Sequence, residues 1–163
     1  MIKLKQAEST KEFDWILKDP EIFERIAEDG ISSDDLKIPF DGKQCYQVVL
    51  VDDKPIGVWC FYPVNSSTLN IHANILMQYR KEHAKDAAKL ALNWFATHSP
   101  DQYVKLNAEI PVIYDNVYHY TKKAGFSDEG TNRMSIMKAG KLVDQYRLGL
   151  TRSEALELYG DNL

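Results

Sequence analysis

Three polar side chains near the middle of the sequence have the chemistry needed for proton transfer. His72, Asn74 and Glu109 stand in stretches that are otherwise apolar, and these stretches predict strands. A charged or imidazole side chain inside such a strand is costly unless it is paired or faces a wet cleft. Because successive side chains of a strand alternate, His72 and Asn74 share one face with Leu76. A base or water-positioning role is one interpretation. A hydrogen-bonded core histidine, and a Glu109 that pairs with a lysine or caps a helix, are the alternatives.

A cluster of basic side chains follows the strand that contains His72. Residues 68–77 predict this strand, the polar stretch QYRKEHAK predicts a turn, and residues 84–98 predict an amphipathic helix ended by Ser99 and Pro100. The start of a helix offers unpaired backbone N–H groups and a partial positive charge, which favour an anion. The alternative is a solvated basic helix start. The basic or imidazole side chains are Arg80, Lys81, His83 and Lys85.

Length and charge limit the function classes. The 163 residues predict a single domain spanning 1–163, large enough for its own core. The net charge of −4 disfavours a protein that wraps nucleic acid, which needs clustered lysine and arginine. There is no apolar run of membrane-spanning length and no signal-peptide core. We therefore expect a cytoplasmic protein with neither nucleic acid nor membrane as a partner.

Cysteine and histidine usage gives no indication of a metal or a disulfide framework. Cys45 and Cys60 lie in apolar strand sequence and predict buried thiols in a reducing compartment. The four histidines show no metal-ligand spacing. We therefore expect no metal site.

Helix caps and turn residues divide the rest of the chain. Ser9 with Glu12 forms a capping box, and Asp19 before Pro20 starts a second short helix. Two apolar runs joined by Asp53-Lys54 predict a hairpin, and their apolar character on both faces predicts a sheet covered by helices on both sides. The predicted order is strand, two helices, three strands, helix, strand, helix, two strands and a short helix. Further predicted elements are a strand at Ile2–Lys5, a loop over residues 31–43, a fifth strand at Val104–Ile110 broken by Pro111, a helix over residues 115–124 ended by Gly125, two strands within residues 131–150 around an Ala139-Gly140 turn, and a last helix opened by Thr151 with Glu154.

The element order and several local motifs resemble the GCN5-related N-acetyltransferase (GNAT) superfamily over nearly the whole chain. The stretch KKAGFSDEG at residues 122–130 is similar to the signature that ends the helix after the family's fifth strand. The tail resembles the ribosomal-protein N-acetyltransferase branch through Arg133, Gly140-Lys141, Asp144 and residues 150–154. Bacteriophage-encoded GNAT-like proteins are also similar, through Ile110-Pro111 and the sequence LNWF.

The resemblance implies an α/β (α+β) GNAT fold: a central mixed, mostly antiparallel sheet of six to seven strands with helices on both faces. It implies acetyl-CoA as cosubstrate in a gap between the fourth strand, Leu69–Met77, and the fifth. A backbone N–H near Leu76 would hold the thioester carbonyl. His83 and Lys85 stand where the family has glycines in its phosphate-binding turn. The cofactor-binding residues implied are Leu76, Met77, Gln78, Arg80, Lys81, His83, Ala84 and Lys85.

The resemblance also implies the reaction. Many members carry a tyrosine that protonates the leaving thiolate; Thr121 stands at its position, and Tyr120 one step earlier is the candidate acid. With His72, Asn74 and Glu109 as base or water-positioning groups, we expect an acyl-CoA-dependent N-acyltransferase for an amine of a protein or a small molecule. A catalytically idle GNAT-fold binding or virion-associated phage protein is the alternative, and a nucleic-acid-directed protein is a third. The protein is expected to be a monomer or a homodimer, in the host cytoplasm if it is phage-encoded.

Overall fold

The computed structural model describes residues 1–160, and its strands and helices follow the predicted order. The strands are β1 (Ile2–Gln6), β2 (Cys45–Val51), β3 (Lys54–Pro63), β4 (Thr68–Ile75), β5 (Lys105–Pro111), β6 (Ser127–Lys138) and β7 (Lys141–Thr151). The helices are α1 (Asp14–Leu17), α2 (Pro20–Ile26), α3 (Met77–His98), α4 (Asp115–Lys123) and α5 (Arg152–Tyr159). Short 3₁₀ turns occur at Thr10–Glu12 and Ser33–Asp35.

All seven strands form one sheet in the order β1-β2-β3-β4-β5-β7-β6. Neighbouring strands run antiparallel except β4 and β5, which are parallel and pair only between Thr68–Asn70 and Lys105–Asn107. The prediction of a mixed, mostly antiparallel sheet of six to seven strands is confirmed. The short parallel ladder leaves the remainder of β4 and β5 unpaired with each other.

Helices cover the sheet on both faces, as predicted. On the face that we call the α3 face, Ala87, Ala91 and Phe95 of α3 pack over strand residues together with Ala155 of α5. On the opposite face, which we call the α2 face, α1 and α2 pack over β2 and β3. The buried residues of that second cluster include Phe13, Ile16, Leu17, Ile22, Tyr46, Val48, Val58 and Cys60.

Side-chain caps fix several helix ends where the sequence predicts them. Asp19 Oδ1 accepts hydrogen bonds from the first-turn amides of α2 at 3.1 and 3.3 Å. Thr151 and Glu154 form the predicted capping box of α5, with Thr151 N donating to Glu154 Oε2 at 2.8 Å. Gly125 ends α4 with φ +102°, a left-handed conformation that suits glycine.

Three predicted boundaries are wrong. Helix α3 starts at Met77 and not near residue 84, so the stretch QYRKEHAK is helical and Met77 is not part of the strand. The hairpin turn is Asp52-Asp53, both with positive φ, and Lys54 is the first residue of β3. Strand β6 begins at Ser127, before the predicted residue 131. For β3 and β6, ladder pairing with a neighbouring strand extends the strand beyond what the local sequence pattern predicts.

The longest helix, α3, carries too many charged side chains to cross a membrane. Helix α3 has 22 residues, and its exposed side carries lysine, glutamate and aspartate side chains. Within residues 1–160, no helix has the combination of length and apolar character that crossing a bilayer needs.

Candidate active site

A cleft of about 490 Å³ opens where β4 and β5 separate. Its lining includes residues from both faces of the sheet, so the cleft runs through the sheet between the two strands. On the α2 face it is lined by Ile22, Arg25, Ile26, His72, Asn74, Glu109 and Tyr114. On the α3 face it is lined by Trp59, Ile71, Ala73, Ala84, Ala88, Leu92, Tyr120 and Thr121. All four predicted catalytic side chains therefore lie in one cleft.

His72 lies on the wall of the cleft on the α2 face. Its ring is open to the cleft and packs edge-on against Tyr62, with centroids 5.5 Å apart. The surrounding protein atoms desolvate the imidazole, and this burial lowers the pKa of His72 below its usual value of 6.5. The ring is therefore neutral at neutral pH, which is the form that can accept a proton.

Asn74 occupies the next position along the same face of β4 and is 5% exposed. Its Nδ2 donates weakly to Val58 O at 3.4 Å and His72 O at 3.5 Å. Leu76 joins the apolar cluster on this face, so the shared face predicted for residues 72, 74 and 76 is what the structure has. These bonds hold the strand segment that carries His72.

Glu109 faces the cleft from β5 and pairs with Arg147 on β7. Its Oε1 lies 3.4 Å from Arg147 Nε, and the carboxylate side chain is 32% exposed. The partner is an arginine, not the lysine or helix end named as alternatives. An ion pair this open to solvent leaves the carboxylate able to contact a ligand amine.

Tyr120 and Thr121 line the α3 face of the cleft. The Tyr120 hydroxyl donates to Ala84 O at 2.9 Å and so joins α4 to α3. Burial raises the pKa of Tyr120, which keeps the phenol protonated. Thr121 Oγ1 donates to Val117 O in its own helix at 2.8 Å. Of these two hydroxyls, the phenol of Tyr120 is the stronger proton donor.

The stretch QYRKEHAK, predicted as an anion-binding turn, is helical and forms the start of α3. The part of the chain that the structure describes therefore has no such turn there. Amides of His83, Ala84 and Lys85 lie several residues inside α3, where helical hydrogen bonding uses them. Arg80 is already paired: Nη1 and Nη2 contact Glu21 of α2 at 2.6 and 2.5 Å, and Nε donates to Ile75 O at 2.8 Å. The pKa of Glu21 is lowered chiefly by this bond.

The eight predicted cofactor residues divide into two groups. Arg80, Lys81 and Ala84 line the cleft. The others lie outside its lining: Leu76, Met77, Gln78, His83 and Lys85. Leu76 N donates to Ile56 O at 3.0 Å, so the predicted carbonyl-binding amide is already used. Among the first-turn groups, Met77 N and Gln78 N remain for an anion.

Sequence reasoning missed several residues that shape this site. Trp59, Ala73 and Tyr114 line the cleft. The register of the β3–β4 pair brings the first two there, and the turn between β5 and α4 brings Tyr114. Lys138 is 3% exposed and donates to backbone carbonyls of Glu24 and Ala27 at the end of α2. In the sequence, Lys138 is marked only as a lysine after the apolar pair Ile136-Met137.

The part of the chain from residue 1 to 160 contains no group of three or more histidine, cysteine, aspartate or glutamate side chains arranged to hold a metal. Cys60 is buried, and burial raises the pKa of its thiol to about 12. This thiol is therefore protonated, and Asn74 Nδ2 lies 3.8 Å from its sulfur.

No protein-family model and no curated protein match the sequence. The fold does match solved structures. The chain is similar to a spermidine N-acetyltransferase from Vibrio cholerae in complex with CoA and spermine, with TM-score 0.80, 18% identity, and coverage of 95% of this chain and 98% of that one. It is also similar to the spermidine/spermine N-acetyltransferase SpeG from Vibrio cholerae in complex with manganese ions, with TM-score 0.75, 17% identity, and coverage of 96% and 95%.

At these identities the likeness is one of fold. The predicted GNAT fold is confirmed, with the neighbours matching this chain over almost its full length. The finer resemblances to the ribosomal-protein branch and to bacteriophage-encoded proteins stay predictions.

Proposed function

We propose that this protein is an acyl-CoA-dependent N-acyltransferase that moves an acetyl group from acetyl-CoA to the amine of a small molecule. The observation that carries the proposal is the through-sheet cleft between β4 and β5. A cleft with two open faces admits a thioester from one side and an amine from the other. Structural neighbours with this fold are N-acetyltransferases, one of them in complex with CoA and spermine.

The donor would lie on the α3 face. The apolar side chains there fit the thioester and pantetheine arm, whereas the phosphates would have to use Met77 N, Gln78 N and Lys81 in place of a glycine turn. The phosphate contacts are therefore the weaker part of the fit. Arg80 would add to them only after releasing Glu21.

The amine would approach from the α2 face. Neutral His72 takes the proton from the ammonium, and Glu109 orients the amine. The amine nitrogen attacks the thioester carbon, the C–N bond forms and the C–S bond breaks. Tyr120, protonated and on the opposite face, gives its proton to the leaving thiolate. The base and the acid thus act from opposite sides of the sheet.

The acceptor side of the cleft favours an amine with an apolar body. Ile22, Ile26, Pro111 and Tyr114 supply apolar surface, and Glu109 is the carboxylate among the lining residues. Spermidine, the substrate named for the neighbours, belongs in the test panel together with aromatic and aliphatic monoamines.

The first test is ligand binding. A thermal melt with acetyl-CoA at millimolar concentration should raise the melting temperature, because a ligand well above its dissociation constant stabilises the native state. Thiol release in the presence of the amine panel then measures turnover. An unshifted melting temperature would remove the premise of the proposal.

The second test is a variant series read as kcat/KM. His72→Gln should lower kcat/KM about 100-fold, within the range of general base catalysis. His119→Gln is the matched control, because His119 is an exposed histidine of α4 that pairs with Asp115 at 3.2 Å. Equal losses in both variants would contradict a role for His72 in proton transfer.

One observation favours a second function. The helical phosphate region and the Arg80–Glu21 pair are compatible with a GNAT-fold protein that binds a ligand without turnover. Binding of CoA with no thiol release for any amine would support this alternative.

A further inference from the structure

Trp59 carries a buried polar atom that nothing in the described chain satisfies. The residue is 6% exposed, and its indole Nε1 has no hydrogen-bond partner within residues 1–160. Buried polar atoms of folded proteins are nearly always paired, so each exception calls for a physical reason. An indole N–H only donates, so the missing partner is an acceptor.

The position of Trp59 connects this atom to the cleft. Trp59 lies opposite Ala73 in the β3–β4 pair, and both residues line the cleft on the α3 face. Ala73 is exposed to the cleft, and Ala84 and Ala88 of α3 also line it with small side chains. These alanines leave room beside the indole, which forms a wall of the space between β4 and α3.

The surroundings of Trp59 determine which acceptor fits. Nearby lining residues on this face are apolar: Ile71, Ile75, Ala88 and Leu92. A carboxylate or phosphate among these four side chains would lose its hydration, and the cations of the cleft lining, Arg80 and Lys81, are not among them. A neutral carbonyl oxygen on an otherwise apolar ligand can accept the hydrogen bond and carries no charge that would lose its hydration.

We propose that Trp59 is a ligand-binding residue whose indole N–H donates to a neutral carbonyl oxygen of the acyl donor. The proposal rests on the proposed function, because it takes the donor to be an acyl-CoA thioester on the α3 face. The ring lines the cleft, but its nitrogen has almost no accessible surface, so the indole has to turn toward the cleft for its N–H to reach the oxygen. The oxygen belongs either to a pantetheine amide or to the thioester.

The test compares Trp59→Phe with the wild-type protein. Phenylalanine keeps an aromatic ring and removes the N–H. Titrations of acetyl-CoA and of CoA should show binding weakened ~5-fold, the size of one hydrogen bond. A loss for both ligands assigns the oxygen to a pantetheine amide, and a loss for acetyl-CoA alone assigns it to the thioester.

A spectroscopic readout separates this contact from a change in packing. In an NMR spectrum of the ¹⁵N-labelled protein, the indole N–H signal that disappears in Trp59→Phe should move downfield when the ligand binds. Trp94→Phe is the matched control, because Trp94 packs on Phe61 at 4.9 Å and lies outside the cleft lining. Its affinity for both ligands should equal that of the wild-type protein.

The outcomes distinguish the two proposals. If the wild-type protein binds neither ligand, the proposed function and this inference both fail. If it binds them, and Trp59→Phe binds them equally while the Trp59 signal stays in place, this inference fails and the proposed function stands.

Discussion

The two ends of helix α3 are held in different ways. At the C-terminal end, Arg152 donates to backbone carbonyls of Ala96, Ser99, Pro100 and Tyr103 at 2.8 to 3.2 Å. At the N-terminal end, no side chain among residues 1–160 caps the first turn. There the helix faces the cleft and is tied to α2 by the Arg80–Glu21 pair.

This difference indicates that the C-terminal end of α3 serves stability and the N-terminal end serves ligand binding. Carbonyl groups that Arg152 satisfies at the C-terminal end are fixed to the start of α5, outside the cleft lining. Amides at the N-terminal end are left for solvent or a ligand, which is typical of functional segments with lower local stability. We therefore expect substitutions at the C-terminal end to change folding and those at the N-terminal end to change binding.

The largest expected effect is at Arg152. Arg152→Ala removes a side chain that is 14% exposed and leaves several carbonyls without a donor. We expect a loss of about 3 kcal/mol in the free energy of unfolding, since each charged hydrogen bond contributes about 1.5 kcal/mol or more. Urea denaturation measures this loss, and the melting temperature should fall by roughly 6 to 12 °C.

The control for Arg152 is Arg133→Ala, at an exposed position on β6. It changes the net charge by the same amount, and its free energy of unfolding should stay within about 0.5 kcal/mol of the wild-type value. Ligand affinity of the folded Arg152→Ala protein should match that of the wild type. If Arg152→Ala instead reduced ligand affinity and left stability unchanged, the C-terminal end of α3 would serve binding and the proposed roles of the two ends would be wrong.

The sequence predicts the fold better than it predicts the site. Caps such as Asp19 and Thr151 act within a few residues, so their pattern is visible in the sequence, and the order of elements follows from them. The start of α3 is mispredicted because a polar, basic stretch resembles a turn. Glu21 and Arg80 are distant in the chain, and only the fold, which brings α2 to the N-terminal end of α3, makes them a pair.

The same limit applies to the residues that line the cleft. His72 and Glu109 attract attention because polar side chains interrupt apolar strands. Trp59 gives no such signal, because a tryptophan in an apolar strand is expected in a core, and its unpaired N–H is a property of the packed structure. Local sequence therefore identifies candidate acids and bases, whereas ligand contacts depend on sheet register.

A smaller effect is expected at the N-terminal end, from Glu21→Gln. The lowered pKa of Glu21 shows that the folded state favours its charged form, chiefly through the hydrogen bond with Arg80. This contribution is present above the unfolded pKa near 4.5 and is lost as the pH falls through the lower folded value. We expect Glu21→Gln to cost about 1 to 2 kcal/mol at neutral pH, measured by urea denaturation.

The same variant should strengthen CoA binding, because Arg80 loses its charged partner and can contact phosphate. We expect affinity for CoA to rise ~3- to 10-fold by calorimetry, while affinity for pantetheine, which lacks phosphate, stays constant. Glu24→Gln on the same helix is the matched control, since Glu24 is exposed. An equal rise for pantetheine would mean that Glu21 acts on the cleft and not through Arg80.

The smallest expected effect is a pH dependence of stability from His72. The folded state lowers the pKa of this imidazole by desolvation, so the unfolded chain binds the proton more readily. Its stabilising contribution is therefore present above the unfolded pKa near 6.5 and declines as the pH falls below that value. Because the ring is open to the cleft, solvent screens the effect and keeps it small.

Urea denaturation from about pH 7.5 to about pH 5.5 should show a steeper loss of the free energy of unfolding for the wild type than for His72→Gln. Parallel curves would mean that the imidazole charges as readily in the folded cleft as in the unfolded chain, and that burial does not lower its pKa.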